Sequence, residues 1–360
     1  MSERSALWVS TSTGTRGGVA TYVRTMQRTP LWQNWNIRHV TTHRDGTAVV
    51  KMASFLAGCL IFLTEVYLRR PHVIHLHTSI RGSFLRKAVL LWASRPSGVP
   101  VVMHMHGSGF PGWYENSPRV LRALIRSTVE RADAFVTLGE KWSEQVQIIA
   151  PGARIRSIPN AISLARRAEP ADPGDPVHVL FLGRIGDRKG TFRLLDAWAK
   201  LVCEPDFVSA RGLAACLTIA GDGEVERARA HCRHLGLHDS VVVSDWLSEQ
   251  ETAALLGTSQ ILVLPSRSEG QPMAVLEAMA RGLCVVATDV DGLPEMIGDG
   301  CGVLIPPDDT EAILAAVRNV VHDADLREAC GASARARVRD RFDVRAIACA
   351  VDSLYREVCR

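Results

Sequence analysis

Twelve short apolar runs, six on each side of a proline-rich break, constrain this chain more than any other feature. They fall at residues 6–10, 37–41, 73–76, 99–103, 134–137 and 155–158, then at 177–182, 216–220, 241–244, 261–264, 284–287 and 302–305. Each run is too short for a buried helix, and helical patterns lie between them. Such alternation builds repeated βα units, whose strands pair in parallel and are covered on both faces. The break at residues 166–176 carries Pro170, Pro173 and Pro176 with no apolar period, and reads as a linker. An α/β domain over residues 1–165 and a second over 177–339 follow, with a ligand cleft expected between them. Residues 340–360 read as a closing helix that crosses back onto the first half.

Charge divides along the same line. The net charge is +4, but residues 1–165 hold 20 Lys and Arg against 8 Asp and Glu, and the remainder 22 against 30. A basic half joined to an acidic half points to an anionic partner for the first. Nucleic acid fits poorly, because no nucleic-acid module is recognisable and the aromatics are not interleaved with the basic residues. An anionic membrane surface or a phosphorylated lipid fits better. The run from Met52 to Leu68 falls short of the ~20 apolar residues of a membrane span and is interrupted by Glu65. A packed helix is expected there. Arg69 and Arg70, which follow it, keep open a helix lying in the membrane interface.

Hydrophobic residues at 47% and charged residues at 22% describe an ordinary soluble globular chain. Nine scattered cysteines without a CxxC pair read as buried, reduced thiols. The first apolar run is too short for a signal peptide, so a cytoplasmic location is expected.

Candidate chemistry lies at strand ends, where ligands bind in open α/β sheets. The apolar run 261–264 stops at Pro265-Ser266, and a helix follows from Pro272, which suits a first helical position, to a stop at Gly282. Glu269 therefore falls in a strand-to-helix loop and Glu277 about two turns into the helix, two acceptors suited to sugar or ribose hydroxyls. After run 177–182, Arg184 and Lys189 would emerge at a strand end, where fixed cations hold and neutralise a diphosphate. The turns at Gly221-Asp222-Gly223 and Asp291-Gly292 lie on the same rim and bring backbone N–H groups toward phosphates. Gly17 and Gly18 open a helix after run 6–10 without the spacing of a dinucleotide fingerprint. They let a phosphate approach a helix N-terminus, although glycines also serve plain turns.

Two His-x-His pairs, His75 with His77 and His104 with His106, each share one strand face. No carboxylate or cysteine stands with them, so no metal is expected. His106, followed by Gly107, reads as a substrate-contacting histidine.

Together these residues resemble the retaining, nucleotide-sugar-dependent glycosyltransferases of family 4, of the polysaccharide-biosynthesis type. The matching positions include Gly17-Gly18, His106-Gly107, Pro159-Asn160, Arg184 with Lys189, Gly221-Asp222-Gly223, and Glu269 separated by seven residues from Glu277. The resemblance implies the GT-B fold, two Rossmann-like domains whose parallel sheets face a central cleft. It implies that Arg184 and Lys189 hold the donor diphosphate, Glu277 the ribose, and that Glu269 orients the transferred sugar. Backbone around Gln271, Pro272 and Met273 would lie beside sugar and phosphates, though Pro272 has no N–H. Gly17, Gly18, Gly221, Gly223 and Gly292 would approach phosphate, and His106 the sugar. Asp291 stands where this family usually has glycine. The implied donor is a UDP- or GDP-sugar and no metal or other cofactor is required. A lipid-linked saccharide at the inner membrane face is the implied acceptor, in exopolysaccharide or cell-surface glycan synthesis. A GT-B sugar-nucleotide epimerase and a non-catalytic nucleotide-sugar binding module are the alternatives.

Overall fold

The computed structural model describes residues 4–171, 174–209, 212–298 and 300–360. Asp172 and Pro173, in the expected linker, lie outside the described residues. The chain divides into unit 1, Met1–Ile162 with Phe342–Arg360, and unit 2, Ser163–Arg341.

Among the described residues, unit 1 is built on six parallel strands: β1 (Ala6–Ser10), β2 (Arg38–Thr41), β3 (Val73–Thr78), β4 (Val101–Met105), β5 (Ala134–Thr137) and β6 (Ile155–Ser157). They lie in the order β2-β1-β3-β4-β5-β6. The helices are α1 (Gly18–Gln27), α2 (Pro30–Asn34), α3 (Ala48–Thr64), α4 (Gly82–Ser94), α5 (Phe110–Glu115), α6 (Arg119–Arg131) and α7 (Glu140–Ile149). Unit 2 adds β7 (Val177–Leu182), α8 (Thr191–Val202), the hairpin β8 (Val208–Ser209) and β9 (Gly212–Leu213), β10 (Ala215–Ala220), α9 (Val225–His234) and β11 (Val241–Ser244). It continues with α10 (Glu249–Thr258), β12 (Ile261–Leu264), α11 (Met273–Arg281), β13 (Cys284–Thr288), α12 (Leu293–Ile297), β14 (Val303–Ile305), α13 (Thr310–His322) and α14 (Ala324–Arg337). Its main sheet, also parallel, runs β11-β10-β7-β12-β13-β14. Each of the twelve apolar runs is a strand of one of the two main sheets, with ends moved by at most two residues.

A last helix, α15 (Val344–Val358), belongs to unit 1. The Asp343 carboxylate caps it by accepting from the Arg345 and Ala346 amides at 2.9 and 3.3 Å. Its inner stripe of Ile347, Val351 and Leu354 is buried with Trp8, Tyr22 and Trp35. Burying each such aliphatic side chain contributes about 1.5–3 kcal/mol. The Tyr355 hydroxyl lies deeper still. It accepts from Trp8 Nε1 at 2.7 Å and meets His75 Nδ1 at 2.5 Å. On the opposite face of the sheet, Phe62, Phe84, Leu91, Ile125 and Val129 form a second core layer.

Two expectations fail. The helix over residues 48–64 is not a packed one: Leu60 is 69% exposed, Leu56 56% and Met52 58%. Only a narrow stripe of α3, with Gly58 and Phe62, reaches the core. A Cβ at Gly58 would sit 2.4 Å from the Thr41 carbonyl oxygen, so the helix rests on β2 by its backbone and turns most of its apolar surface outward. The cysteines are not uniformly buried either, since Cys203, Cys349 and Cys359 are exposed.

Tyr355→Phe should strip the Trp8 indole and the His75 imidazole of their shared partner while keeping the ring. An orphaned buried polar group costs about 1–3 kcal/mol, so the thermal midpoint of unit 1 should drop by roughly 3–8 °C. An unchanged midpoint in a melt followed by circular dichroism would show that the hydroxyl is dispensable.

Candidate functional site

In unit 2 the chain runs outward from β7 through β10 to β11, then returns past β7 to β12. β7 and β12 are therefore adjacent where the strand order reverses, the position at which crevices open in doubly wound sheets. The loop after β7 carries Arg184 and Lys189, and the loop after β12 carries residues 265–272. Gly190, at φ 72°, lets these loops touch: a Cβ there would lie 2.0 Å from the Pro265 carbonyl oxygen. On the other side, the Gly221–Gly223 turn is stitched to the β7 loop by Ile185 N–H donating to Asp222 O at 2.6 Å.

These contacts bring Lys189 and Glu269 together as a salt bridge. Glu269 is 6% exposed, and the same carboxylate oxygen accepts from the Ser266 hydroxyl at 2.7 Å. A buried carboxylate needs such partners, because desolvation otherwise penalises its charge. Asp291 fixes the loop from behind, accepting from the Glu269 amide at 3.0 Å and the Ser268 hydroxyl at 2.6 Å. Its φ of 48° is left-handed, the conformation that favours glycine. The residue thus keeps a glycine-like backbone and adds an anchor that glycine lacks. In the sequence it stands out only as a departure, although short acidic side chains tolerate this conformation and bond locally. Gly292, beside it, packs with its Cα side against Gly270 O, where a Cβ would fall at 2.4 Å.

The remaining expected site positions after β12 are set by α11. Met273 is its first residue and Pro272 its N-cap, one position earlier in the helix than expected of Pro272, and Gly282 closes it at φ 77°. Glu277 is the fifth residue, so it lies about one turn into the helix rather than two. Gln271 is buried at 7% exposure. The Arg184 guanidinium is exposed and forms no ion pair among the described residues. Lys189, Glu269, Ser266 and Asp291 are thus linked by contact.

In unit 1, Gly17 caps α1 at φ 124° and Gly18 is its first residue. The two His-x-His pairs lie on neighbouring strands, with His77 opposite His104 in register. They form one cluster of stacked rings, with centroids 4.2 Å apart for His75–His77 and for His104–His106. Burial pushes His75, His77 and His104 well below the ordinary histidine range and His106 down to about 4, against a raising effect from Asn160. All four are neutral at pH 7. His106 Nδ1 lies 3.1 Å from Asn160 Oδ1, an acceptor, and so carries the proton. His106 Nε2 then accepts from His77 Nδ1 at 3.0 Å. Both nitrogens of His106 are engaged within unit 1, which narrows its expected sugar contact to the ring edge. His75, His77 and His104 also bring ligand nitrogens within 4.8 Å of one another, a grouping that the separate pairs did not suggest. The Tyr355 hydroxyl, which accepts from Trp8, gives its own proton to His75 Nδ1 and leaves the His75 proton on Nε2. A metal ion ligated at Nε2 would have to displace that proton, and one at Nδ1 the Tyr355 hydroxyl, because a ligating nitrogen must be bare.

Residues 164–337 match the family model described as glycosyl transferases group 1, and residues 7–161 the glycosyl transferase 4-like domain. Among curated relatives, alpha-D-kanosaminyltransferase of Streptomyces kanamyceticus is 28% identical over 315 residues, covering 81% of this chain and 79% of that protein. The putative teichuronic acid biosynthesis glycosyltransferase TuaC of Bacillus subtilis is 24% identical over 301 residues, 81% of this chain and 72% of that one. Sucrose-phosphate synthase from Thermosynechococcus elongatus superposes with a TM-score of 0.80 at 19% identity, over 99% of both chains. Anabaena HepE in complex with UDP-glucose gives 0.72 at 18% identity, over 98% of this chain and 99% of that one.

Two outcomes follow from this geometry. Asp291→Ala loses two hydrogen bonds and keeps an unfavourable φ, whereas Asp291→Gly loses only the bonds. Alanine should therefore destabilise unit 2 by about 1 kcal/mol more than glycine in urea unfolding; equal midpoints would contradict the anchor. The neutral histidines set a pH dependence. Below about pH 6.5 the unfolded chain takes up protons that the folded cluster refuses. Stability is then lost as pH falls, at about 1.4 kcal/mol per pH unit per histidine, and for His106 the loss ends near pH 4. Urea titrations from pH 7 to pH 5 should show that slope reduced by one histidine in His104→Phe; an identical slope would contradict the buried neutral cluster.

Proposed function

The chain belongs to the family 4-like glycosyltransferases of the GT-B fold, and from that premise we propose that it moves a hexosyl unit from a UDP- or GDP-sugar to an acceptor hydroxyl with retention and without a metal. The observation that carries this reading is the junction of the β7 and β12 loops, which sets Lys189 against Glu269 at the switch point of unit 2. A lysine ammonium has three donors, and Glu269 takes one of them, leaving two for a phosphate. Arg184, exposed and free of carboxylates among the described residues, adds the second cation.

In this reading the acceptor oxygen bonds to C1 of the sugar on the face that the leaving group departs. The C1–O bond to the diphosphate breaks with its electron pair staying on phosphate, and the acceptor hydroxyl gives its proton to that phosphate oxygen. Fixed cations stabilise the charge that develops there, and they act more strongly in a water-excluded site than they would in bulk solvent. Glu269, held by Lys189, Ser266 and the anchored loop, orients the sugar instead of acting as a base. Glu277 accepts from the ribose. Backbone at Gln271, Pro272, Met273, Gly221, Gly223 and Gly292 lies beside the donor. HepE, of the same fold, was solved with UDP-glucose, which supports a UDP-sugar donor.

The acceptor is a lipid-linked saccharide used in exopolysaccharide or cell-surface glycan synthesis, and the enzyme works at the inner face of the cell membrane. The +12 balance of residues 1–165 and relatives such as TuaC support this part.

A screen of UDP- and GDP-sugars with a lipid-linked acceptor should give a product whose anomeric configuration, read by NMR, matches the donor, at a rate that EDTA leaves unchanged. Lys189→Ala and Glu269→Ala should each lower kcat by on the order of 10²-fold or more. Near-normal turnover in both variants would sink the assignment. Epimerised donor without transfer would mark an epimerase instead.

A further inference from the structure

We propose that the outward surface of α3, with its neighbours α4 and α6, is a docking face that inserts shallowly into an anionic lipid membrane. The inference rests on the membrane part of the proposed function, not on its chemistry, and it names the surface and the mode of contact.

Three linked helices carry the apolar residues of this face. α3 and the wider turn that continues it to Arg69 form a helix of 22 residues, Ala48–Arg69, apolar enough to cross a membrane. It does not cross one in this fold. Phe62 and Val66 are fully buried in unit 1, Gly58 abuts the Thr41 carbonyl oxygen, and Glu65 is held by Arg38 at 2.9 Å. Pinned along that stripe, the helix lies flat with Leu56, Leu60 and Leu68 exposed, the last at 79%. The Tyr67 hydroxyl ties its end to α4 by donating to Ala93 O at 2.6 Å, and Trp92 Nε1 ties α4 to α6 by donating to Thr128 Oγ1 at 3.2 Å. Val89 and Trp92 on α4 and Val120 and Leu124 on α6 are exposed as well. A single exposed leucine is ordinary, but large apolar residues exposed on three linked helices are not.

Charge selects the occupant. Lys51, Arg69, Arg70, Arg119, Arg122 and Arg131 belong to or directly follow these helices. The acidic groups among them are already engaged: Glu65 with Arg38 and Arg69, and Glu130 with Arg126. The Arg131 guanidinium lies 5.8 Å from the Trp92 ring centroid, an aromatic with a cation beside it, as suits a headgroup boundary. Aliphatic side chains with arginines around them fit acyl chains under anionic headgroups. A second copy of this face would set the same cations against each other, so self-association is disfavoured.

Leu56→Glu with Leu60→Glu tests the face, since both side chains are exposed and the fold should keep its melting temperature. Sedimentation with vesicles of phosphatidylcholine alone, or mixed with phosphatidylglycerol, should recover the wild type only with the mixed vesicles. The double variant should partition at least tenfold less, and its donor hydrolysis should be unchanged. Brominated lipids should quench the wild-type fluorescence more than that of Trp92→Phe. Equal binding by wild type and double variant overturns this surface while leaving membrane association standing, and no binding by the wild type overturns both. A wild-type dimer that the substitutions split, seen by analytical ultracentrifugation, assigns the face to a second copy. A wild type that binds the mixed vesicles but hydrolyses no donor leaves the docking face standing and counts against the catalytic reading alone.

Discussion

Parallel pairing is the constraint on which the rest of this molecule depends. Strands that all run one way must be joined by crossovers, and those crossovers are right-handed. In each unit every loop that follows a strand therefore emerges on one edge of the sheet. In unit 2 this gathers the Gly221–Gly223 turn, the Lys189 loop, the Glu269 loop and Asp291 on a single rim, although they span more than a hundred residues of sequence. The reversal of strand order between β7 and β12 then decides which loops meet. No side chain has to choose that site.

What the side chains decide is how tightly it is held. Glu269 takes a lysine ammonium and a serine hydroxyl on one oxygen, and its own amide is held by Asp291. A carboxylate removed from water in this way is oriented by its neighbours before any ligand arrives. Truncating Lys189 or Ser266 would leave the buried Glu269 carboxylate short of a partner, so the pair and its anchor act as a unit. In unit 1 the equivalent edge is held by neutral imidazoles instead, where proton positions, not ion pairs, fix the rings.

Much of the fold was legible because its signal is local. Runs such as 6–10, 134–137, 177–182 and 261–264 match their strands end to end, since buried parallel strands must be apolar on both faces. Lys189 and Glu269 were legible as members of a strand-end rim, yet not as partners, because the contact depends on a glycine that lets two loops touch. The merging of two histidine pairs into one cluster depended on register between β3 and β4, which spacing alone does not carry. The exposure of α3 was missed because an apolar helix of that length is ordinarily buried, and composition does not say which side faces the sheet. Asp291 looked like a loss until its φ and its two hydrogen bonds gave it a task.

The return of Phe342–Arg360 to unit 1 has a consequence for how the molecule is made. Ile162 and Phe342 are clasped by Ile162 N–H donating to Phe342 O at 2.9 Å and Val344 N–H donating to Ile162 O at 3.1 Å. Everything between them is a closed excursion of the chain that begins and ends at one point. During synthesis, unit 2 is complete before α15 is available. Until then Trp8 and His75 lack the hydroxyl of Tyr355, and Val351 and Leu354 are missing from their core. The amino-terminal unit is thus begun first and finished second, and its open flank must wait out the translation of its neighbour.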